Sequence, residues 1–298
     1  MTDPITIKHT KSGAQCTIYP FGAHLTSYKT SSGKELLFLS RDAILDGTKA
    51  IRGGIPLCFP QFGQPDKSMP QHGFLRNNYW KEVDDSRSDD DESAGISMEL
   101  SLKDVVNSRG GKWGTDTKLD AKCTYTVKIN GDGFTTTIVM DNLGEESFDL
   151  QVLLHNYFLV HDRMALDEQH CKVQGLEGYT VDDKVSGKSG HVCDGPVTIP
   201  QKIIIDRVYD PPKGKLELNL TIAAGPSHNL SLIACGEVDG TPVSVSGVVS
   251  RELSLLFLVH QLDVHKLTYT HHFPYRFGTL TRRKLKLWPI LGMISIWI

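Results

Sequence analysis

Residues 123–140 read CTYTVKI, NGDG, FTTTIVM, and this stretch restricts the fold more than any other. Cys123, Tyr125, Val127 and Ile129 recur at every second position. That period places them on one face of a strand and scatters them around a helix. NGDG at 130–133 is a hairpin turn signal. Phe134, Thr136, Ile138 and Met140 then resume the alternation. The same period returns in KLELNLTI at 215–222, where Leu216, Leu218, Leu220 and Ile222 interleave with polar residues. PITIKH, AQCTIYP and ELLFLS are expected to be short strands, divided by KSG and SSGK. Helical periodicity extends at most to a short helix in SLKDVVNS near 101–108. Many short strands with glycine-rich turns predict an all-β chain, an antiparallel sandwich or barrel. The acidic run DDSRSDDDES at 84–93 reads as a solvated hairpin tip rather than a metal site.

A chain of 298 residues fits two domains of ~150 residues, or one large β domain with an extension. A net charge of −3 gives no global basic signal for nucleic acid. The six cysteines are scattered without a CxxC pair, which points to neither a zinc site nor a disulfide framework. Free thiols, together with an N-terminus lacking an apolar leader, place the chain in the cytosol. The longest apolar stretch falls short of the ~18 residues a membrane helix needs.

Charge is unevenly distributed. Residues 1–246 hold 25 Lys+Arg against 33 Asp+Glu, whereas 247–298 hold 7 against 2, with four of the twelve histidines. The expectation is a β domain over 1–246 and a divergent basic tail over 247–298 that stands outside the fold. Such a tail would leave the sandwich incomplete, with exposed sheet edges.

The residues able to do chemistry fall in four places. In ESFDLQVLLHNYFLV, Phe148, Leu150, Val152 and Leu154 share one strand face, and Gln151, Leu153, His155 and Tyr157 share the other. His155 is either a hydrogen-bonded sheet histidine or a general acid working near neutral pH. In IRGGIPLCFPQFG and QHGFLRNNYW, Arg52 and Arg76 are framed by residues that restrict or free the backbone. Each is either a surface charge or one of a pair converging on a phosphate or carboxylate. Asp206, in IIIDRVYDPP, is either an ion-paired turn residue or a site carboxylate.

These four motifs, in this order and spacing, resemble the hexose-6-phosphate mutarotases (glucose-6-phosphate 1-epimerases) of the aldose 1-epimerase superfamily. The resemblance covers about residues 5–246. It implies a β-sandwich of the galactose-mutarotase type and interconversion of the α and β anomers of a hexose 6-phosphate, glucose 6-phosphate first. It implies His155 as the catalytic acid and Arg52 and Arg76 as substrate and phosphate contacts. Gln71 and His72 would touch the sugar, and Asp206 would accept a hydroxyl. No cofactor or metal is implied, and the chain is expected to be a cytoplasmic monomer without nucleic-acid or membrane partners.

The family's base is a glutamate on a late strand, and nothing after 246 matches that segment. Glu252 is the only glutamate after 247, and it lies outside any matching context. The alternative is therefore a catalytically impaired phosphosugar-binding homologue. A third reading, a metal-binding tail built on His260, His265, His271 and His272, matches no standard zinc spacing.

Overall fold

The computed structural model of the chain describes residues 3–106, 112–116, 118–146, 148, 150–160, 169–198, 204–225, 229–238, 241–250, 254–261 and 266–272. Residues 112, 150, 248, 250, 254–261 and 266–272 are described by their backbone alone. Two large antiparallel sheets dominate. The seven-stranded sheet runs 189–192, 180–183, 206–210, 246–250, 254–261, 150–157 and 57–58. An eleven-stranded sheet follows the path 197–198, 171–174, 217–224, 229–238, 266–272, 134–142, 121–129, 94–101 and 81–82. A three-stranded sheet is made by Ile5–Lys8, Gln15–Tyr19 and His24–Lys29.

The alternation seen in the sequence decides which faces meet. Tyr125, Ile138 and Met140 of the larger sheet pack in one core with Val152, Leu154 and Tyr209 of the smaller. The result is the expected β-sandwich. A core leucine such as Leu154 contributes about 2–5 kcal/mol, judged by what truncation to alanine costs. The NGDG hairpin forms as expected: Ile129 pairs with Phe134, and the Asn130 side chain accepts the amides of Asp132 and Gly133. Leu218, Leu220 and Ile222 are buried, but Leu216 precedes the strand and stays exposed.

The segment ELLFLS forms no strand of its own. Glu35, Leu37 and Leu39 pair singly with Lys29, Phe158 and Gly53. Three different partners in succession give bridges where one partner would give a ladder. The helical signal near 101–108 reduces to Leu102–Val105. The acidic run carries the two-residue strand Ser88–Asp89 at an exposed edge. No helix among the described residues is long and apolar enough to cross a membrane.

Strands also form beyond residue 246. Ser246–Ser250 is a strand paired with Asp206–Asp210 and with Ser254–Gln261. Ser254–Gln261 lies beside Leu150–Tyr157 in the smaller sheet. Lys266–His272 is inserted between 229–238 and 134–142 in the larger. Residues 246–250, 254–261 and 266–272 therefore fill interior places in the two sheets, because their backbones satisfy strand partners on both sides. His260 belongs to one sheet and His271 and His272 to the other; His265 and Glu252 lie outside the described residues.

Candidate active site

The site is built on the face of the smaller sheet that points away from the main core. On the strand Leu150–Tyr157, Val152 and Leu154 enter the main core. Leu153 turns the other way and packs with Cys58, Phe62 and Val208 in a separate cluster. His155 shares that second face by alternation, and it is buried at 6% exposure. Its ring stacks on Tyr157, with centroids 4.5 Å apart and planes at 5°. Phe62 and His72 approach it, each with a ring centroid 6.3 Å away.

The segments 59–63 and 72–74 clasp one another. Phe59 donates its amide to the His72 carbonyl, Phe74 donates to the Phe59 carbonyl, and His72 donates to the Gly63 carbonyl. Gly73 has φ of 72°, and a Cβ there would lie 1.7 Å from the Phe59 carbonyl oxygen. Only glycine closes the clasp. At Gly54, φ is 61° and a Cβ would meet the Leu25 carbonyl oxygen at 2.3 Å.

The clasp orients His72. Its Nδ1 accepts the Gly63 amide at 3.0 Å, so the neutral ring carries its proton on Nε2. Burial, and then the charge of Arg76, push this imidazole down to about 3. Burial, followed by His72 and Arg76, holds the His155 imidazole well below the usual histidine range. Arg76 extends from the short turn Leu75–Asn77 and donates Nη2–H to the Gln71 carbonyl at 3.1 Å. Its Nε is buried without a hydrogen-bond partner. Burial is the main cause lowering the Arg76 pKa, and Cys58 and Tyr157 offset it.

The expected residues divide into three groups. His72 and His155 come together, and the charge of Arg76 acts on both. Asp206 stands on the same sheet but two strands intervene between its strand and that of His155, a lateral separation of ~14 Å at ordinary strand spacing. It is buried, Oδ1 has no partner, and burial raises its carboxyl to about 6 against the pull of Lys184. The ion pair expected in this motif goes to Arg207, whose Nε meets Asp183 Oδ2 at 2.8 Å. Arg52 and Gln71 have exposed side chains, so they lie outside the buried group.

Two site-building residues escaped sequence reasoning. Gln61, 3% exposed, donates to the carbonyls of Asp66 and Pro70 and accepts the Asp66 amide, which folds the loop leading to His72. His24 donates Nε2–H to the Gly53 carbonyl at 2.7 Å, beneath the paired glycines. Burial lowers its imidazole to about 4; the bond to Gly53 opposes this and Arg76 adds to it. The only signal for either was a polar residue inside an otherwise apolar, glycine-rich run.

The sequence pattern of the aldose 1-epimerase family matches residues 3–240. The chain belongs to the aldose 1-epimerase family. Among its relatives in this family, a Salmonella typhimurium protein provisionally named glucose-6-phosphate 1-epimerase is 31% identical over 250 residues. That match covers 82% of this chain and 76% of the relative. A protein of the same provisional name from Cenchrus ciliaris is 31% identical over 198 residues, covering 64% of this chain and 56% of the relative. The chain thus spans little more than half of that relative's length. Two crystal structures share the aldose 1-epimerase fold seen here. One, a Salmonella typhimurium protein provisionally described as a mutarotase, has TM-score 0.66 at 23% identity, covering 93% of this chain and 92% of its own. The other, the Slr1438 protein of Synechocystis sp. PCC 6803, has TM-score 0.69 at 16% identity, covering 92% and 96%.

Proposed function

We propose that the chain interconverts the α and β anomers of a hexose 6-phosphate, glucose 6-phosphate first, with His155 as the acid. In this reaction the acid gives a proton to the ring oxygen as the C1–O5 bond breaks, and that electron pair stays on O5. A base removes the proton of the anomeric hydroxyl, and C1 becomes an aldehyde. Rotation about C1–C2 and reclosure by the reverse transfers give the other anomer. Each well-placed acid or base is worth ~10²–10⁴-fold in rate.

The observation that carries this reading is the buried pair His155 and His72, ring centroids 6.3 Å apart, with the half-buried Arg76 four residues after His72 and its Nε buried without a partner. Arg76 makes no ion pair among the described residues, which favours an anionic ligand over a neutral sugar. The names borne by the relatives support a phosphorylated hexose. In the same reading Arg52 and Gln71 meet the ligand at the rim, and Asp206 takes a hydroxyl at its far end. The six free cysteines support a reducing, cytosolic setting, and the chain acts as a monomer without cofactor.

One observation favours the alternative, a phosphosugar binder with impaired catalysis. The strand paired with that of His155 reads SLLFLVHQ, with Leu256 directly opposite His155 and no carboxylate in its sequence. NMR exchange spectroscopy on glucose 6-phosphate separates the two. Exchange above the spontaneous rate, lost in His155→Ala, supports the enzyme. Tight binding with exchange ~10²–10⁴-fold below that of a chimera with a matching family C-terminus supports the binder. Absence of glucose 6-phosphate binding by calorimetry rejects both.

A further inference from the structure

We infer that Gln151 is a positioning residue of the site: it anchors Phe62, and through the next amide, that of Gly63, it holds His72 as a ring that donates from Nε2 to an oxygen of the sugar. This rests on the reading that a sugar binds beside His72 and His155.

Gln151 and His155 are four residues apart on the strand Leu150–Tyr157 and share a face by alternation. The segment 56–60 runs antiparallel to them. Pro56 accepts the His155 amide, Cys58 pairs with Leu153, and Pro60 accepts the Gln151 amide. Gln151 then grips the same segment a second time, its side-chain Oε1 accepting the Phe62 amide at 2.8 Å. The oxygen must be the atom engaged, because the side-chain NH2 offers only donors to an N–H. These two bonds set where the chain turns at Gly63, whose φ is 68°.

Gly63 is the residue that meets His72. It gives its amide to Nδ1 at 3.0 Å and accepts the His72 amide at 2.7 Å. An N–H aimed at Nδ1 excludes a proton there, so the other neutral tautomer and the imidazolium would each lose this bond. Burial also favours the neutral ring. The Phe62 ring lies 4.8 Å from that of His72 and 6.3 Å from that of His155, centroid to centroid. Gln151 therefore acts on His72 by two routes, the Gly63 amide and the Phe62 ring. A neutral ring with its proton on Nε2 gives a hydrogen bond to a sugar oxygen and does not take a proton from one.

Nitrogen-15 labelling of histidine in the full chain reads which ring nitrogen carries the proton. His72 is assigned by comparison with His72→Asn, since asparagine tolerates the φ of 64° found there. At about pH 7.5 the unaltered chain should show Nε2–H alone, with the Phe62 and Gly63 amides slow to exchange. A ring protonated on Nδ1, or a Phe62 amide that exchanges as fast as an open loop, overturns the inference without any variant. Gln151→Leu removes the acceptor. It should admit the Nδ1–H form, quicken exchange at Gly63 and weaken glucose 6-phosphate binding by about 2–10-fold. Gln151→Glu keeps an acceptor for Phe62 and should restore all three. A leucine variant with His72 still on Nε2–H alone overturns the inference, as does a glutamate variant that behaves like leucine. If the tautomer responds and binding does not, the donor role fails and the proposed function stands. If glucose 6-phosphate does not bind the unaltered chain, the proposed function and the donor role fail together, and the tautomer readings still decide whether Gln151 positions His72.

Discussion

His155 and Tyr157, two residues apart on one strand, hold their rings 4.5 Å apart and within 5° of parallel. The Tyr157 hydroxyl lies 3.3 Å from His155 Nε2, but a hydrogen bond to imidazole nitrogen runs in the ring plane. A face-to-face contact leaves the in-plane direction of Nε2 uncommitted. Tyr157 thus fixes the plane of the imidazole while its proton chemistry stays available. Tyr157→Phe is expected to keep the stack and alter anomer exchange by less than about 3-fold. Tyr157→Ala, which frees the ring, should cost on the order of 10-fold or more in exchange rate. Exchange spectroscopy on both variants checks this.

The glycine clasp makes a sharp stability prediction. Gly73→Ala places a methyl 1.7 Å from the Phe59 carbonyl oxygen at a left-handed φ. Gly13→Ala faces a similar φ of 80° with nothing within 4 Å. The second should cost about 1 kcal/mol, from backbone strain alone. The first should cost more than about 3 kcal/mol, since the clasp must open. Urea denaturation at one temperature gives both values. Equal costs would mean that the clasp adapts.

Gln61→Leu retains volume and loses three hydrogen bonds to the loop at 66–70. The Asp66 amide loses the Gln61 bond, and the Asp66 and Pro70 carbonyls keep the amides of Met69 and Gly73, at about 1–3 kcal/mol for the group. Hydrogen exchange should quicken at the Asp66 amide, and at the Gly63 amide that holds His72. Unchanged protection at Gly63 would separate the loop from the site.

The two arginines are expected to differ. Arg76 is half-buried, and Arg52 is exposed. Arg76→Ala should weaken glucose 6-phosphate binding about 10–100-fold, from loss of charge-assisted hydrogen bonds. An exposed charge is worth up to ~1 kcal/mol, so Arg52→Ala should cost less than about 5-fold. Neither change should much affect binding of free glucose. Calorimetry with both sugars measures all four cases.

Acid should destabilise the fold through the buried histidines. His24 and His72 titrate at about 4 and about 3 in the folded chain, below the ordinary ~6.5. The unfolded chain therefore binds more protons. Their contribution is complete above about pH 6.5 and is lost as pH falls towards those lower values. His155 acts in the same direction. Asp206, raised to about 6, acts in the opposite sense: its contribution is present below the unfolded carboxylate range and is lost as pH rises through 6. Three histidines outweigh one carboxylate, so urea midpoints should fall between about pH 7.5 and about pH 5. His24→Gln, which retains a donor for Gly53, should lessen that fall.

Much of this protein follows from neighbours in the sequence. Alternation within 123–140 and 150–157 assigned faces correctly, because side-chain period is a property of a single strand. The Asn130 turn is likewise local. His155, His72 and Arg76 were legible as candidates because their motifs hold unusual residues close together. Tertiary structure decided the rest. It showed that Gly73 serves a contact with Phe59, that Gln61 and His24 brace the loops, and that Arg52 is exposed where Arg76 is half-buried. It also set 254–261 beside 150–157 and 266–272 beside 134–142, strands far away in the chain. Strand pairing and buried polar contacts depend on which distant backbone groups need partners, and no local window of sequence contains both halves of such a bond.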